Sequence, residues 1–111
     1  MNEWITQLRK GLLEFCILNF LARGENYGYE IVQQLAAIEE LAVTESTVYP
    51  ILARLSKDGY LKVRVGPSPQ GPPRRYFSLT VLGRHRVSEM NGYWDELNGS
   101  IERLRAALKG G

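Results

Sequence analysis

Three observations predict a mainly α chain with a small β-hairpin (α+β). Residues 46–55, Ser-Thr-Val-Tyr-Pro-Ile-Leu-Ala-Arg-Leu, set an apolar face (Val48, Ile51, Leu52, Leu55) against a small, aromatic or cationic one at helical spacing. That second face carries Ser46, Tyr49, Pro50, Ala53, Arg54 and Lys57. Two runs of strand character, Tyr60–Val65 and Arg74–Leu79, then flank a Pro/Gly loop. Finally, Val87, Met90, Trp94, Leu97, Ile101, Leu104 and Leu108 step by 3 and 4 alternately, a heptad seam. Helix, hairpin and basic loop in that order spell a winged helix-turn-helix over residues 1–79. Residues 80–111 are expected to form a C-terminal dimerisation helix.

The elements can be justified in chain order. Helix 1 is expected from about Trp4 to Arg23, because Trp4, Ile5, Leu8 and Leu12 recur at helical spacing and residues 12–22 are apolar on nearly every side. Gly24 is a natural stop. Asn26 is placed as the cap of helix 2, whose buried face is Ile31, Leu35 and Ile38. Thr44 fits the N-cap of helix 3, its hydroxyl accepting from the amide of Ser46 or Thr47. Val43 and Val48 then form a hydrophobic staple. Pro50 removes a donor deep in this helix, where a local kink is expected, and Gly59 ends it.

In the first strand Leu61, Val63 and Val65 alternate with Tyr60, Lys62 and Arg64, the period of a half-buried strand. The loop over residues 66–73 holds four prolines, which disfavour strand pairing and stiffen the tip. Phe77 and Leu79 face the core in the return strand, and Thr80 caps the final helix. That helix either packs its seam on a second chain or folds back on its own domain. A partner is favoured because the helix follows a completed domain. Gly92 and Gly99 share an outer heptad position and each costs about 1 kcal/mol against alanine.

At 111 residues, 44% hydrophobic and 23% charged, the chain suits one globular domain with a modest core. A single cysteine, Cys16, permits no internal disulfide and fits a reducing cytoplasm; it reads as a core thiol, with a reactive one as the alternative. Glu14 and Asn19 interrupt the longest apolar run, which is too short to span a membrane. No basic-then-apolar stretch with a small-residue cleavage site opens the sequence, so export is not expected.

A net charge of +2 hides a sharp division. Residues 24–46 carry five acids and no lysine or arginine. Residues 47–88 carry eight basic residues (Arg54, Lys57, Lys62, Arg64, Arg74, Arg75, Arg84, Arg86) against Asp58 alone. A positive surplus over the helix and hairpin is what attraction to a polyphosphate requires; a solvated charge run is the plainer alternative. On the DNA reading, Ser46, Thr47, Tyr49 and Arg54 make groove and phosphate contacts from helix 3. Tyr49 has packing against helix 2 as its alternative. Arg74 and Arg75 hold backbone phosphate or enter the minor groove, Gln70 and Gly71 permit close approach, and Lys62 and Arg64 neutralise phosphate. Strand neighbours point to opposite faces, so only one of Arg74 and Arg75 reaches DNA fully. Arg9 and Lys10 either add backbone contacts or are solvated.

The residues also resemble the PadR-type winged-helix transcriptional regulators along essentially the whole chain. Arg9-Lys-Gly-Leu-Leu-Glu14 is similar to that family's opening helix, Tyr27-Gly-Tyr-Glu-Ile31 to its second helix, and residues 46–55 to its recognition helix. Gly71-Pro-Pro-Arg-Arg-Tyr-Phe77, with Leu79-Thr80 and Gly83, is similar to its wing and strand-to-helix junction. The resemblance implies a homodimer on an inverted-repeat operator that represses transcription until a signal releases it. The length implies the short subfamily, with one C-terminal helix for dimerisation. Some members of that subfamily bind flat aromatic molecules at the dimer interface beside a tryptophan of the last helix. Trp94 matches that position, and Tyr93 and Trp4 are placed in the same region. The bland alternative for Trp94 is a large residue in a heptad core.

Enzymatic function is not expected. One histidine, one cysteine and scattered carboxylates give no catalytic constellation, and no ligand spacing implies a metal or cofactor. His85 reads as a surface residue between Arg84 and Arg86. The rival reading is a dimeric small-molecule-binding or protein-interaction module without operator binding, which predicts a neutral or acidic wing. Nothing in the residues separates a repressor from an activator.

Overall fold

The computed structural model describes residues 2–110, in the order α1 (Asn2–Leu21), β1 (Asn26–Tyr27), α2 (Gly28–Ala36), a 3-10 turn (Glu39–Leu41), α3 (Glu45–Lys57), β2 (Leu61–Gly66), β3 (Arg74–Leu79) and α4 (Val81–Gly110). It is mainly helical, with a three-stranded antiparallel sheet ordered β1-β3-β2. The core joins Leu13, Ile17, Leu18 and Leu21 of α1 to Ile31 and Leu35 of α2 and to Val48, Leu52 and Leu55 of α3. Leu61, Phe77 and Leu79 close it from the sheet, and Val87 from α4. Apolar spacing of 3 and 4 on each helix therefore produces one shared interior.

Helix α1 begins two residues earlier than the periodicity indicates and ends at Leu21, just before Gly24. The Asn26 cap does not form. Asn26 lies in β1, and its Oδ1 accepts from the Tyr27 amide at 2.9 Å, while Tyr27 enters α2 in an extended conformation without a side-chain cap. Strand β1, which the sequence reading missed, pairs Asn26 with Phe77 and Tyr27 with Tyr76. Two residues give too short a pattern to register as a strand. Ile38 is also corrected: it falls beyond the end of α2 and is exposed, so Ile31, Val32 and Leu35 form the buried face.

Thr44 does occupy the N-cap of α3, but its hydroxyl caps no amide. It shares hydrogen bonds with Ser46 Oγ (2.9 Å) and Thr47 Oγ1 (3.2 Å) instead. Val43 and Val48 are both buried, as a staple requires. At the far end, the Tyr60 amide bonds to the Leu55 carbonyl and the Gly59 amide to Ser56, with Gly59 at φ +87°. This is a Schellman closure, which needs the left-handed backbone that glycine adopts without strain, and it aims the chain into β2.

Along β2 only Leu61 and Gly66 are buried; Val63 and Val65 are exposed, contrary to the half-buried strand expected. The hairpin pairs six residues with six, Leu61 with Leu79 through Gly66 with Arg74, and so projects past the core that covers its base. Its outer part is the wing. Phe77 and Leu79 are buried as expected. Thr80 caps α4: its Oγ1 accepts from the Gly83 amide at 3.0 Å and donates to the Gly59 carbonyl at 2.6 Å.

The seam of α4 divides. Val87 is buried in the domain's own core and Met90 packs against it. Trp94, Leu97, Ile101, Leu104 and Leu108 are 38–82% exposed. None of the described helices is long and apolar enough to cross a membrane.

Candidate nucleic-acid interface

Helix α3 buries Val48, Leu52 and Leu55, so its opposite side carries Ser46, Pro50, Ala53 and Lys57 at steps of 4, 3 and 4. Three of those four are small, which lets the helix axis come close to whatever it faces. Beside this ridge a groove of about 910 Å³ opens between α3 and the wing. Tyr49, Pro50 and Ala53 line one wall, and Gln70, Arg74 and Arg75 line the other. Ser46, Thr47, Lys62, Gln70 and Gly71 are all exposed.

Tyr49 stands at the groove's edge, 40% exposed, over the glycine that starts α2. A Cβ on Gly28 would lie 2.7 Å from Tyr49 Cε1, so the bare backbone there seats the ring. Partial burial, then the nearby Glu45 and Tyr29, push the phenol of Tyr49 above its ordinary pKa. It therefore keeps its proton and its capacity to donate.

The basic residues fall into two groups. Arg54 is held by Glu14 (2.8 Å) and Asp58 (3.8 Å), Arg64 by Glu25 (2.6 Å), and Arg86 by Glu14 (2.9 Å). Lys57, Lys62, Arg74, Arg75 and Arg84 have no carboxylate partner among the described residues. The surplus counted along the sequence is thus partly neutralised by acids from outside the segment. Arg9 also has a structural partner, donating to the Glu40 carbonyl at 2.7 Å.

Arg74 and Arg75 separate as strand alternation requires. The guanidinium of Arg74 lies 4.2 Å from the centre of the Tyr27 ring, half-buried, while Arg75 is exposed. Tyr27 contacts Tyr76 at 5.9 Å, and Arg64 lies 4.5 Å over Tyr76. Glu25, Arg64, Tyr76, Tyr27 and Arg74 therefore form a continuous ladder from the α1–β1 turn to the wing. The hydrogen bonds from Arg64 hold the Glu25 carboxyl below its ordinary range. Nothing in the sequence marks Glu14, Glu25 or Tyr76 as partners, because each pairing joins residues far apart in the chain.

A second hollow, about 730 Å³, lies between α1 and α4, with Leu8, Leu12 and Phe15 facing Met90, Tyr93 and Trp94. Phe15 and Trp94 are 5.6 Å apart between ring centres at 39°. Tyr93 lines this hollow as placed; Trp4 lies outside its lining and is 65% exposed. Cys16 sits against the core, and burial raises its thiol pKa, consistent with the packing role.

Three helices around a small sheet, with α3 beside a basic hairpin, make this a winged-helix protein. Residues 17–89 match the transcriptional regulator PadR-like family, and the chain belongs to that family of transcriptional regulators. It is 40% identical to a PadR-like transcription factor from Bacteroides fragilis, whose structure it matches over 88% of this chain and 94% of the other at a TM-score of 0.76. A Streptococcus transcriptional regulator is also 40% identical, over 89% and 97% of the two chains, at 0.80. Bacillus subtilis PadR, solved in complex with operator DNA, is 26% identical and covers 71% of this chain and 46% of its own, at 0.63.

Proposed function

We propose that this chain is a cytoplasmic repressor that binds an inverted-repeat operator as a homodimer and is released by a ligand. The observation that carries the DNA reading is the groove between α3 and the wing. Arg74 and Arg75, which have no carboxylate partner among the described residues, line its wing wall, Arg75 the more exposed of the two, opposite a helix whose outer residues are small enough for close approach. A relative solved in complex with operator DNA supports DNA as the partner. Ser46, Thr47 and Tyr49 offer hydroxyls to base edges, Lys57, Lys62 and Arg75 offer free charge to phosphates, Arg54 and Arg64 offer theirs where a phosphate displaces Glu14 or Glu25, and Gln70 and Gly71 carry the wing's tip.

Dimerisation is assigned to α4. Five of its seven seam residues, from Trp94 to Leu108, lie exposed along one face, and a second copy of the helix would cover them. Two copies would also bring the Trp94 side chains toward a common axis, where a planar aromatic guest could stack between them and Tyr93. Residues 80–111 would then serve both contacts, with residues 1–79 as the DNA-reading unit.

Fluorescence anisotropy with the duplex upstream of the protein's own gene, against a scrambled duplex over a salt series, tests the reading. Specific binding is expected at one dimer per site, with log K falling by about 0.9 per phosphate contact per unit of log salt. No binding to either duplex at low salt would favour the interaction module of the same fold.

A further inference from the structure

Among the described residues, Glu14 is the only carboxylate paired with guanidinium groups from two different elements. It stands on α1 with its side chain 16% exposed. Its Oε1 accepts from Arg54 Nη2 of α3 at 2.8 Å. Its Oε2 accepts from Arg86 Nε of α4 at 2.9 Å and lies 2.9 Å from Arg86 Nη2. Arg86 is itself fixed by Tyr60, whose hydroxyl accepts from Nη1 at 3.2 Å and whose ring centre lies 4.6 Å below the guanidinium. Burial pushes the Glu14 carboxyl upward, but the hydrogen bonds and charges of Arg54 and Arg86 outweigh it and hold the group below its ordinary range. It is an anion shared between two cations.

The two cations belong to different functional regions. Arg54 rides on the helix assigned to DNA, and Arg86 together with Tyr60 forms part of the wall of the hollow between α1 and α4. Each guanidinium weakens the hold of the carboxylate on the other, since both draw on the same charge and repel one another. Withdrawing Arg86 leaves Glu14 to Arg54 alone and makes Arg54 harder to surrender to a phosphate. Withdrawing Glu14 does the reverse.

We propose that Glu14 is a positioning residue that couples the α1–α4 hollow to DNA affinity by dividing one carboxylate between Arg86 and Arg54. Whatever moves Arg86 at the wall of the hollow changes the availability of Arg54 on α3, with no shift of the backbone required. The coupling rests on the DNA reading for its functional consequence, though its geometry does not.

The test is a mutant cycle with operator affinity read by anisotropy. Arg86→Gln is measured in the wild-type, Glu14→Gln and Arg54→Gln backgrounds, each confirmed as folded by circular dichroism. Arg86→Gln should weaken binding about fivefold in the wild-type background, in keeping with ordinary coupling within one charge network, and less than about twofold in the other two. Glu14→Gln alone should tighten binding and steepen its salt dependence. An equal loss in all three backgrounds, as simple removal of a surface charge would give, overturns the proposal. Should Arg86→Gln prevent folding, Arg86→Met replaces it with the same expectations, removing the charge while keeping the aliphatic stem. A wild-type protein that binds no duplex refutes the DNA reading instead. The Nε–Hε resonance of Arg54 in the free protein then decides the coupling. It should shift on Arg86→Gln when Glu14 is present and stay fixed in the Glu14→Gln background; no shift in either overturns it.

Discussion

The same substitution at two glycines of one helix should have opposite effects. Gly83 lies in the first turn of α4 against the carbonyl of Tyr60, and a Cβ there would collide with that oxygen and approach Leu79 Cδ2 to 3.3 Å. The obstacle is backbone, so no rotamer change relieves it. The Tyr60 carbonyl also accepts the Thr80 amide at 3.1 Å, and Thr80 is the cap that joins α4 to the end of α3. Overpacking of this kind costs about 1–3 kcal/mol, and loosening the Thr80–Tyr60 bond about 1 more. Alanine returns about 1 kcal/mol through helix propensity, leaving Gly83→Ala destabilised by about 1–3 kcal/mol. For a chain of this size that lowers the melting temperature by roughly 5–15 °C. At Gly92 nothing lies within 4 Å of the added carbon, so Gly92→Ala keeps only the propensity gain and should melt a few degrees higher. Scanning calorimetry at one fixed protein concentration, which removes mass-action shifts from assembly, compares the two with wild type. Gly83→Ala melting at or above wild type would refute the packing argument.

Three further outcomes follow from the charges and the exposed seam. Glu14 and Glu25 both have carboxyls held below their ordinary range. Their contribution to stability is therefore complete above that range and lost as pH falls through and beneath it. Denaturant titrations from pH 7 down to pH 3 should show a smaller acid loss for Glu14→Gln than for wild type, and an equal loss would contradict the linkage. Glu25→Gln releases Arg64, so the salt slope of DNA binding should steepen by up to about 0.9 per protomer; an unchanged slope would place Arg64 away from phosphate. Leu104→Glu puts charge on the exposed seam at a residue 66% open to solvent; on the proposed assembly, light scattering should report a dimer for wild type and a monomer for the variant.

Legibility in the sequence tracked the distance over which each signal acts. Apolar periodicity found all four helices, because the residues that declare a helical face sit three or four apart. It could not say what covers a face. The seam of α4 reads as one stripe from Val87 to Leu108, yet Val87 and Met90 pack on the domain's own core and the rest stands exposed. In the same way, Val63 and Val65 obey the strand alternation but lie past the point where the helices cover the sheet. The charge pattern shows the limit most clearly. Arg54, Arg64 and Arg86 look alike in sequence to Lys57, Lys62 and Arg75, and they differ only because Glu14 and Glu25 fold against them from 39 to 72 residues away.

That division of the cations bears on what the basic surface can do. Charges already paired bring little to long-range attraction, since their fields are cancelled locally. On the proposed DNA reading, the steering field would come from Lys57 at the end of α3, Lys62 on β2, Arg74 and Arg75 in the α3–wing groove, and Arg84 at the start of α4. On the same reading the paired arginines would act at shorter range, where a phosphate would have to compete with a carboxylate for each of them. Affinity on the Arg54 and Arg64 sides would then be set by the carboxylates of Glu14 and Glu25 that hold them. On that reading, a winged helix built this way would have its hold on DNA adjusted from α1 and the turn that follows it, outside the α3–wing groove.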